Sequence, residues 1–212
     1  MRNKPWAQDY LQDLPQVHFD PSAFKGRWKE KTDYACITLE IGSGKGDYAR
    51  SMAILQPDVL WIAIERDKNV SAVAQKKIQA QNIPNLHWIV GDAEHLEDWF
   101  DHAEVNTIHL NFSDPWPKKG HTKRRLTSEL FIERMLRIGN GDLAIKFKTD
   151  NVSLFEYTLP VLSQYPFHLI EFSVDYRREG HPEDAITEYE QRFMDLNQVI
   201  YRAVWRRIHV ES

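Results

Sequence analysis

The chain has 212 residues, of which 42% are hydrophobic and 12% are aromatic, enough to bury the core of a single domain. Its one cysteine, Cys36, excludes an internal disulfide and a cysteine-based metal cluster. No apolar run is long enough to cross a bilayer, and the N-terminal sequence lacks the apolar stretch of a secretion signal. We therefore expect a cytoplasmic protein with no bound metal and no membrane contact.

The formal net charge is −4, which taken alone argues against a nucleic-acid partner. The charges are segregated, however. Lys118–Arg125 contains five Lys or Arg residues and no acid, whereas acidic residues crowd the stretch from Glu94 to Glu104. Because a polyanion responds to the local field, residues 118–125 are a candidate RNA contact despite the overall sign.

From residue 35 onward, apolar runs typical of buried strands alternate with helical patterns. The predicted strands are Ala35–Ile41, Leu60–Ile64, Leu86–Val90, Thr107–Leu110, Leu143–Lys148, His168–Tyr176 and Val199–Trp205. The predicted helices are Tyr48–Leu55, Asn69–Gln81, a short one at Ala93–Phe100, Ser128–Ile138 and Ser153–Tyr165, with a turn at Gly139–Asp142. The charged segment Arg177–Met194 is expected to be a long loop with a helical turn.

This alternation predicts a mostly parallel sheet with helices on both faces, as in Rossmann-like α/β folds. No full helix separates the last two strands, so the final strand is expected to be antiparallel. The domain is taken as residues 31–212, after an N-terminal extension at 1–30. That extension is either a flexible cap or a segment anchored by Trp6 and Trp28.

Acidic residues and a glycine-rich turn follow the first predicted strands, at the edge where such folds bind ligands. Glu40 and the turn Gly42–Gly46 end the first strand, and Glu65 and Asp92 end the next two. Acceptors at successive strand ends suit the ribose of a nucleotide-type cofactor. Whether Glu65 or Asp67 takes the ribose stays open.

The glycine turn departs from the patterns that bind phosphate chains. Asp47 stands where a dinucleotide fingerprint has its third glycine or alanine, and its carboxylate would repel a pyrophosphate. Gly46 follows Lys45 where a P-loop needs Ser or Thr. A cofactor with a ribose but no phosphate chain fits, and the sulfonium of S-adenosylmethionine suits an acid-lined cleft.

The loop Asn111–Pro117 after the fourth predicted strand is unlike an ordinary connection. Pro115 and Pro117 restrict the backbone, so Asp114 would be held rigidly at the strand end. We favour a functional role for Asp114. Trp116 either stacks on a base or packs in the core.

The chain carries the motifs EIGSGKG, GDA, LNFSDPWPKKGHTKRRL, IKFKTDN and ITEYEQRF. In these motifs, from about residue 20 to the C-terminus, it resembles bacterial tRNA (guanine-N7-)-methyltransferases of the TrmB type, and the DPWPK element is highly specific. The resemblance implies a class I methyltransferase fold and S-adenosylmethionine as cofactor. It also implies methyl transfer to N7 of the guanine at position 46 in the tRNA variable loop.

Carried over by motif, the resemblance implies three sets of site residues. The cofactor set is Glu40, Gly42, Gly44, Glu65, Asp92 and Asp114, with Asp114 also the catalytic residue. The substrate set is Lys118, Asp150, Thr187, Glu188, Tyr189 and Glu190. The RNA contacts are Gly120, His121, Thr122, Lys123, Arg124 and Arg125. Gly120 stands where we expect a basic residue in this family.

Guanine N7 has an in-plane lone pair and no proton, so it can attack a methyl group without a general base. We therefore expect catalysis through alignment and electrostatics. Asp150 and Glu190 are candidates for accepting hydrogen bonds from guanine N1–H and the 2-amino group.

Two other classes of function compete with this interpretation. A methyltransferase for a protein or small molecule has little use for Lys118–Arg125, and a non-enzymatic RNA-binding protein has none for Glu40, Glu65 and Asp92. Both a monomer and a homodimer are compatible with the sequence.

Overall fold

The computed structural model describes residues 4–30 and 32–208, and within them the chain forms one eight-stranded sheet. The strands are β1 Val17–His18, β2 Cys36–Ile41, β3 Val59–Glu65, β4 Leu86–Val90, β5 Val105–Asn111, β6 Gly139–Thr149, β7 Phe167–Ser173 and β8 Tyr201–Arg207. Their order is β1-β4-β3-β2-β5-β6-β8-β7. The chain therefore builds outward in opposite directions from β2 and β5, which makes the gap between their carboxyl ends a switch point.

Strands β1 to β6 pair in parallel, and β8 pairs antiparallel with both β6 and β7. The predicted mostly parallel sheet with an antiparallel final strand is confirmed. The register places Glu40 opposite His109 on β5, and Asn111 opposite Lys148 on β6.

Helices cover both faces of the sheet, as predicted. They are α1 Ala7–Gln12, α2 Asp47–Leu55, α3 Lys68–Ile78, α4 Leu96–Trp99, α5 Glu129–Ile138, α6 Val152–Leu162 and α7 Glu188–Asp195. Side chains alternate along β3: Trp61 and Ala63 pack with α1, α2 and α3, whereas Ile62 and Ile64 pack with α4, α5 and α6. No helix in the described part of the chain is long and apolar enough to span a membrane.

Residues 4–30 pack onto the domain. Helix α1 buries Ala7 and Leu11, and β1 extends the sheet beside β4. Trp28 is buried in the core, and its Nε1 donates to the carbonyl of Trp99 at 3.0 Å. Trp28 therefore anchors this segment in the described structure. Trp6 lies on the surface, and the Lys76 ammonium is 3.9 Å from its ring centroid.

Several predicted boundaries differ from the structure. The turn predicted at Gly139–Asp142 is wrong, because Gly139 pairs with Val105 and starts β6 through an irregular register. Helix α6 ends at Leu162, with Pro160 inside its last turn, and does not reach Tyr165. Strand β7 stops at Ser173, and a 3₁₀ turn covers Tyr176–Arg178.

Candidate active site

A cleft of about 430 Å³ opens at the carboxyl ends of β2 and β5, the switch point of the sheet. The glycine turn after β2, the end of β5 and the start of α7 form its walls. The lining residues are Glu40, Gly42, Ser43, Gly44, Lys45, Gly46, Asp47, Tyr48, Val70, Asn111, Phe112, Thr187, Glu188, Tyr189 and Arg192.

The glycine turn exposes bare backbone to the cleft. Gly42 and Gly44 have φ of +80° and +54°, a region that favours glycine. A Cβ at either position would meet no atom within 4 Å, so the space above the backbone is open. A ligand can therefore approach the main chain here closely.

Glu40 is a buried carboxylate beside this turn, with 2% of its surface exposed. Its Oε1 accepts a hydrogen bond from the Asn111 amide at 2.9 Å, whereas Oε2 has no partner among the described residues. Burial raises the pKa of Glu40 to about 7, although the hydrogen bond from the Asn111 side chain opposes the shift. A cationic group in the cleft would stabilise its charged form.

The two candidates for the ribose acid differ in what they already bind. Glu65 accepts from the Gly44 amide at 3.0 Å and from the Asp67 amide at 2.9 Å, so it lies against the glycine turn. Asp67 caps α3, and its Oδ1 accepts from the amides of Asn69 and Val70. Position therefore favours Glu65.

Asp92 ends β4 on the same edge of the sheet and is exposed. Its side chain accepts from the Glu94 amide at 3.1 Å and caps the 3₁₀ turn Ala93–His95. The structure thus brings Glu40 and Glu65 to the glycine turn, and of the three acids at these strand ends Glu40 alone is among the residues that line the cleft.

The loop after β5 is held in an unusual backbone conformation. Phe112 and Trp116 have φ of +51° and +41°, which is rare for bulky side chains. The Phe112 amide donates to the Lys148 carbonyl at 2.9 Å. Arg125 donates from Nε to the Pro115 carbonyl at 2.8 Å and from Nη2 to the Trp116 carbonyl at 3.2 Å. This loop presents Asp114 outward.

The side chain of Asp114 is 71% exposed, and its Oδ2 lies 4.0 Å from the Arg66 guanidinium at the end of β3. The catalytic candidate is therefore accessible from solvent, and it is not among the residues that line the cleft. Its location on a backbone fixed by Arg125 agrees with the rigid presentation that the two prolines predict.

The predicted RNA-contact segment contains both exposed and buried cations. Lys118, Lys123 and Arg124 are exposed, with the Arg124 guanidinium 5.0 Å from the Trp116 ring centroid. Arg125 is 8% exposed and lies 4.2 Å from the Tyr157 ring. The Arg125 guanidinium is therefore enclosed and holds the loop, and the RNA contact predicted for it stays a prediction.

The other members of that segment lie in a 3₁₀ helix over Lys119–Arg124. Gly120 is exposed, and a Cβ there would meet no neighbour within 4 Å, so the glycine is not required by crowding. His121 packs edge-on against Trp116, and Thr122 accepts from the Arg125 amide at 3.1 Å.

The start of α7 forms the opposite lip of the cleft. Thr187 caps the helix and accepts from the Glu190 amide at 2.9 Å. Glu188 binds the Lys45 ammonium at 2.7 Å across the cleft. Tyr189 is 62% exposed, with its ring near-parallel to that of Phe112 at a centroid distance of 6.4 Å.

Three of the predicted substrate residues, Lys118, Asp150 and Glu190, are not among the residues that line the cleft. Lys118 and Asp150 are exposed outside the lining set. Glu190 is fully buried and bonds to Lys148 and Arg177, and the substrate contact predicted for it stays a prediction. Conversely, Phe112, Lys45 and Arg192 line the cleft but were not predicted as site residues.

The switch-point cleft, the open glycine turn and the buried acid before it define a class I methyltransferase fold with a nucleotide-type site. Solved structures share this fold. The 16S rRNA methyltransferase KamB aligns with a TM-score of 0.61 at 15% identity, covering 84% of this chain and 90% of that one. A 16S rRNA (adenine-N(1))-methyltransferase from Catenulisporales acidiphilia, solved with SAM, gives 0.57 at 10% identity, covering 85% and 89%.

The family is shown by closer matches. The family described as "Putative methyltransferase" matches residues 34–203. A tRNA (guanine-N(7)-)-methyltransferase from Bacillus licheniformis is 41% identical over 210 residues, covering 97% of this chain and 99% of that protein. Another, from Listeria welshimeri, is 42% identical over 204 residues and covers 95% of each. The chain belongs to the family of tRNA (guanine-N(7)-)-methyltransferases.

Proposed function

We propose that this protein transfers a methyl group from S-adenosylmethionine to N7 of a guanine in tRNA, at position 46 of the variable loop. The observation that carries the proposal is the buried Glu40 carboxylate, which lines the cleft beside an open glycine turn and has one oxygen without a hydrogen-bond partner among the described residues. The names of the two close relatives support the same reaction, and the resemblance in sequence motifs supplies the position in tRNA.

The residues of the cleft fit the cofactor. S-adenosylmethionine supplies a methyl group activated on a positively charged sulfur. Glu40 offers an unpaired carboxylate oxygen that favours a cationic ligand, and Glu65 offers acceptors for ribose hydroxyls. Gly42 and Gly44 leave room for close approach of the ligand to the backbone.

The target guanine must leave its stack to reach the cleft, and an aromatic side chain would stabilise it there. Tyr189 is suited to this role because it is exposed, lines the cleft and lies beside Phe112. Trp116, the candidate from the sequence, already has Arg124 over its ring and His121 at its edge. We therefore assign base stacking to Tyr189.

Guanine N7 needs no deprotonation, so the protein's task is to align the base and stabilise the positive charge that develops on it. Asp114, two residues after the cleft residue Phe112, provides an exposed carboxylate for that charge. Glu188 lines the cleft and is better placed than the buried Glu190 to accept from guanine N1–H and the 2-amino group.

The tRNA backbone is held by the exposed cations Lys118, Lys123 and Arg124. They lie directly after the Asp114 loop, so a bound phosphate would place a neighbouring base near the cleft. The direct test incubates the protein with methyl-labelled S-adenosylmethionine and unmodified tRNA, then maps the label by cleavage at N7-methylguanosine. One labelled guanine at position 46 is expected.

The alternative classes give other results in the same assay. Label at another base would contradict the assignment to position 46. Label in protein or small molecules but not in tRNA would favour the other methyltransferase classes. Absence of S-adenosylmethionine binding by calorimetry, together with intact tRNA binding, would favour a non-enzymatic RNA-binding protein.

A further inference from the structure

Helix α7, which forms the lip of the cleft, has no stripe of buried apolar side chains. Tyr189 is 62% exposed, Phe193 is half-buried beside Phe112, and the one residue of α7 that is fully buried is Glu190. A helix fixed by a hydrophobic face would bury a stripe of apolar side chains instead. A further interaction is therefore needed to position this lip.

That interaction is a cluster of buried charges behind α7. Lys148 Nζ, with its side chain fully buried, lies 2.7 Å from Asp184 Oδ2 and 3.0 Å from Glu190 Oε2. Arg177 binds the same two carboxylates, from Nη2 at 2.8 Å and from Nε at 2.6 Å. Each carboxylate is therefore shared by two cations inside the protein.

Further groups complete the environment of Asp184. The Tyr48 hydroxyl donates to its Oδ1 at 2.6 Å, and Arg202 Nη1 lies 3.6 Å from the same oxygen. Burial would raise the pKa of Asp184, but the Lys148 and Arg202 cations hold it well below its usual value. Asp184 therefore stays ionised throughout the neutral pH range.

Lys148 also connects this lip to the rest of the cleft. On β6, Lys148 pairs with Asn111 of β5, and the side-chain amide of Asn111 donates to Glu40 Oε1 at 2.9 Å. Its carbonyl accepts from the amide of Phe112 at 2.9 Å. One residue thus contacts the floor of the cleft, the loop that bears Asp114 and the lip that bears Tyr189.

We propose that Lys148 is a positioning residue, which sets the α7 lip against the cleft floor before tRNA arrives. The proposal rests on the proposed function, since the geometry it preserves is that between the target guanine and the transferred methyl group. Small losses of alignment lower the rate of such transfers strongly. Lys148 itself is enclosed by protein and does not touch the substrate.

The test compares three variants. Lys148→Met removes the charge at similar length, and Lys148→Met/Glu190→Gln removes one charge of each sign. Lys146→Met is the matched control, because Lys146 lies on the same strand and has no hydrogen bond or ion pair to α7 among the described residues. The measurements are melting temperature, kcat and KM for tRNA, S-adenosylmethionine affinity, and hydrogen exchange of residues 184–195.

For Lys148→Met we expect kcat to fall by ~10-fold or more, with cofactor affinity within about 3-fold of wild type. Exchange of residues 184–195 should become at least ~10-fold faster without tRNA. The double variant should recover most of the melting temperature that Lys148→Met loses, because one carboxylate is removed together with the cation. Its kcat should stay as low as that of Lys148→Met. Lys146→Met should match wild type in kcat.

A double variant with wild-type kcat would overturn the proposal, since the loss in Lys148→Met would then reflect folding alone. Unchanged exchange at residues 184–195 in Lys148→Met would also overturn it. If the wild-type protein methylates no tRNA, the proposed function fails separately, and the exchange data still decide whether Lys148 holds the lip.

Discussion

The two walls of the cleft are held in place by different means. The α7 lip is fixed by ion pairs from which water is excluded, between Lys148, Asp184 and Glu190. The loop opposite is fixed through its backbone, by positive φ at Phe112 and Trp116 and by hydrogen bonds from Arg125. The charges that fix the first wall face the protein interior, whereas Asp114 on the second faces solvent.

This difference shows that residue type alone does not identify the groups that face a ligand. Glu190 and Asp114 are both acids within motifs of the family, but one is fully buried and the other is 71% exposed. Arg124 and Arg125 are neighbours in sequence, but only Arg124 points outward. Mutations on the two walls should therefore affect different measured quantities.

Asp114→Asn should have the largest effect on turnover. Removing a carboxylate that stabilises transition-state charge is expected to lower kcat by ~10²–10³-fold. The tRNA dissociation constant should change by less than about 3-fold, and the melting temperature should stay the same, because the side chain is exposed. Single-turnover methyl transfer with separately measured tRNA binding checks this. Near-wild-type turnover would remove Asp114 from the mechanism.

The neighbours Arg124 and Arg125 form a matched pair for separating support from RNA contact. Arg125→Met should lower both kcat, by ~10-fold or more, and the melting temperature, because the Pro115 and Trp116 carbonyls lose their donor. Arg124→Met should leave both close to wild type. It should instead weaken tRNA binding and reduce the slope of log affinity against log salt by about 1.

The two variants would contradict this division if their effects were exchanged. A reduced salt slope in Arg125→Met would mean that this guanidinium reaches a phosphate after all. An unchanged slope in Arg124→Met would remove Arg124 from the RNA interface.

The raised pKa of Glu40 predicts a smaller effect, a pH dependence of cofactor binding. Its pKa of about 7 in the free protein lies above the ordinary value of 4.5, and a cationic ligand binds the ionised form better. Affinity for S-adenosylmethionine should therefore rise by up to ~10-fold between pH 6 and pH 8. The product, whose thioether sulfur carries no charge, should bind with a weaker pH dependence. In Glu40→Gln the pH dependence of S-adenosylmethionine binding should disappear. Calorimetry across this range gives the answer.

The stability of the free protein should also depend on pH through the ionisation of Glu40. A raised pKa in the folded state means that the stability present below the unfolded pKa is lost as pH rises through about 7. Glu40→Gln should thus melt at a higher temperature than wild type at pH 8, with a smaller difference at pH 5. Equal differences at both pH values would show that Glu40 does not titrate in this range.

Much of the fold followed from local sequence signals. The periodic apolar runs predicted β2 to β6 and the helices between them, and Gly42–Gly46 and Asn111–Pro117 were expected at the strand ends where they lie. Such features depend on neighbours within a few residues. The predicted turn at Gly139–Asp142 failed because pairing of Gly139 with the distant Val105 outweighed the local preference.

The exposure of the charged residues could not be predicted in the same way. Arg177–Met194 was expected to be a loop because it is rich in charge, but Arg177, Asp184 and Glu190 are enclosed by Lys148 and one another. These partners lie far apart in sequence, and a side chain's type does not reveal whether a counter-ion will meet it. Capping of α7 by Thr187 is different, because Thr187-Glu188-Tyr189-Glu190 matches the local capping-box pattern and could have predicted the helix start.

The central claim is methyl transfer to guanine N7, and a tRNA transcript with 7-deazaguanine at position 46 tests it most directly. This base keeps the ring shape and the N1–H and 2-amino groups but has a carbon in place of N7. If N7 is the acceptor atom, the transcript with guanine takes one methyl group, whereas the 7-deazaguanine transcript takes none and competes for binding. Methylation of the 7-deazaguanine transcript to the same extent would show that the methyl group goes to another atom.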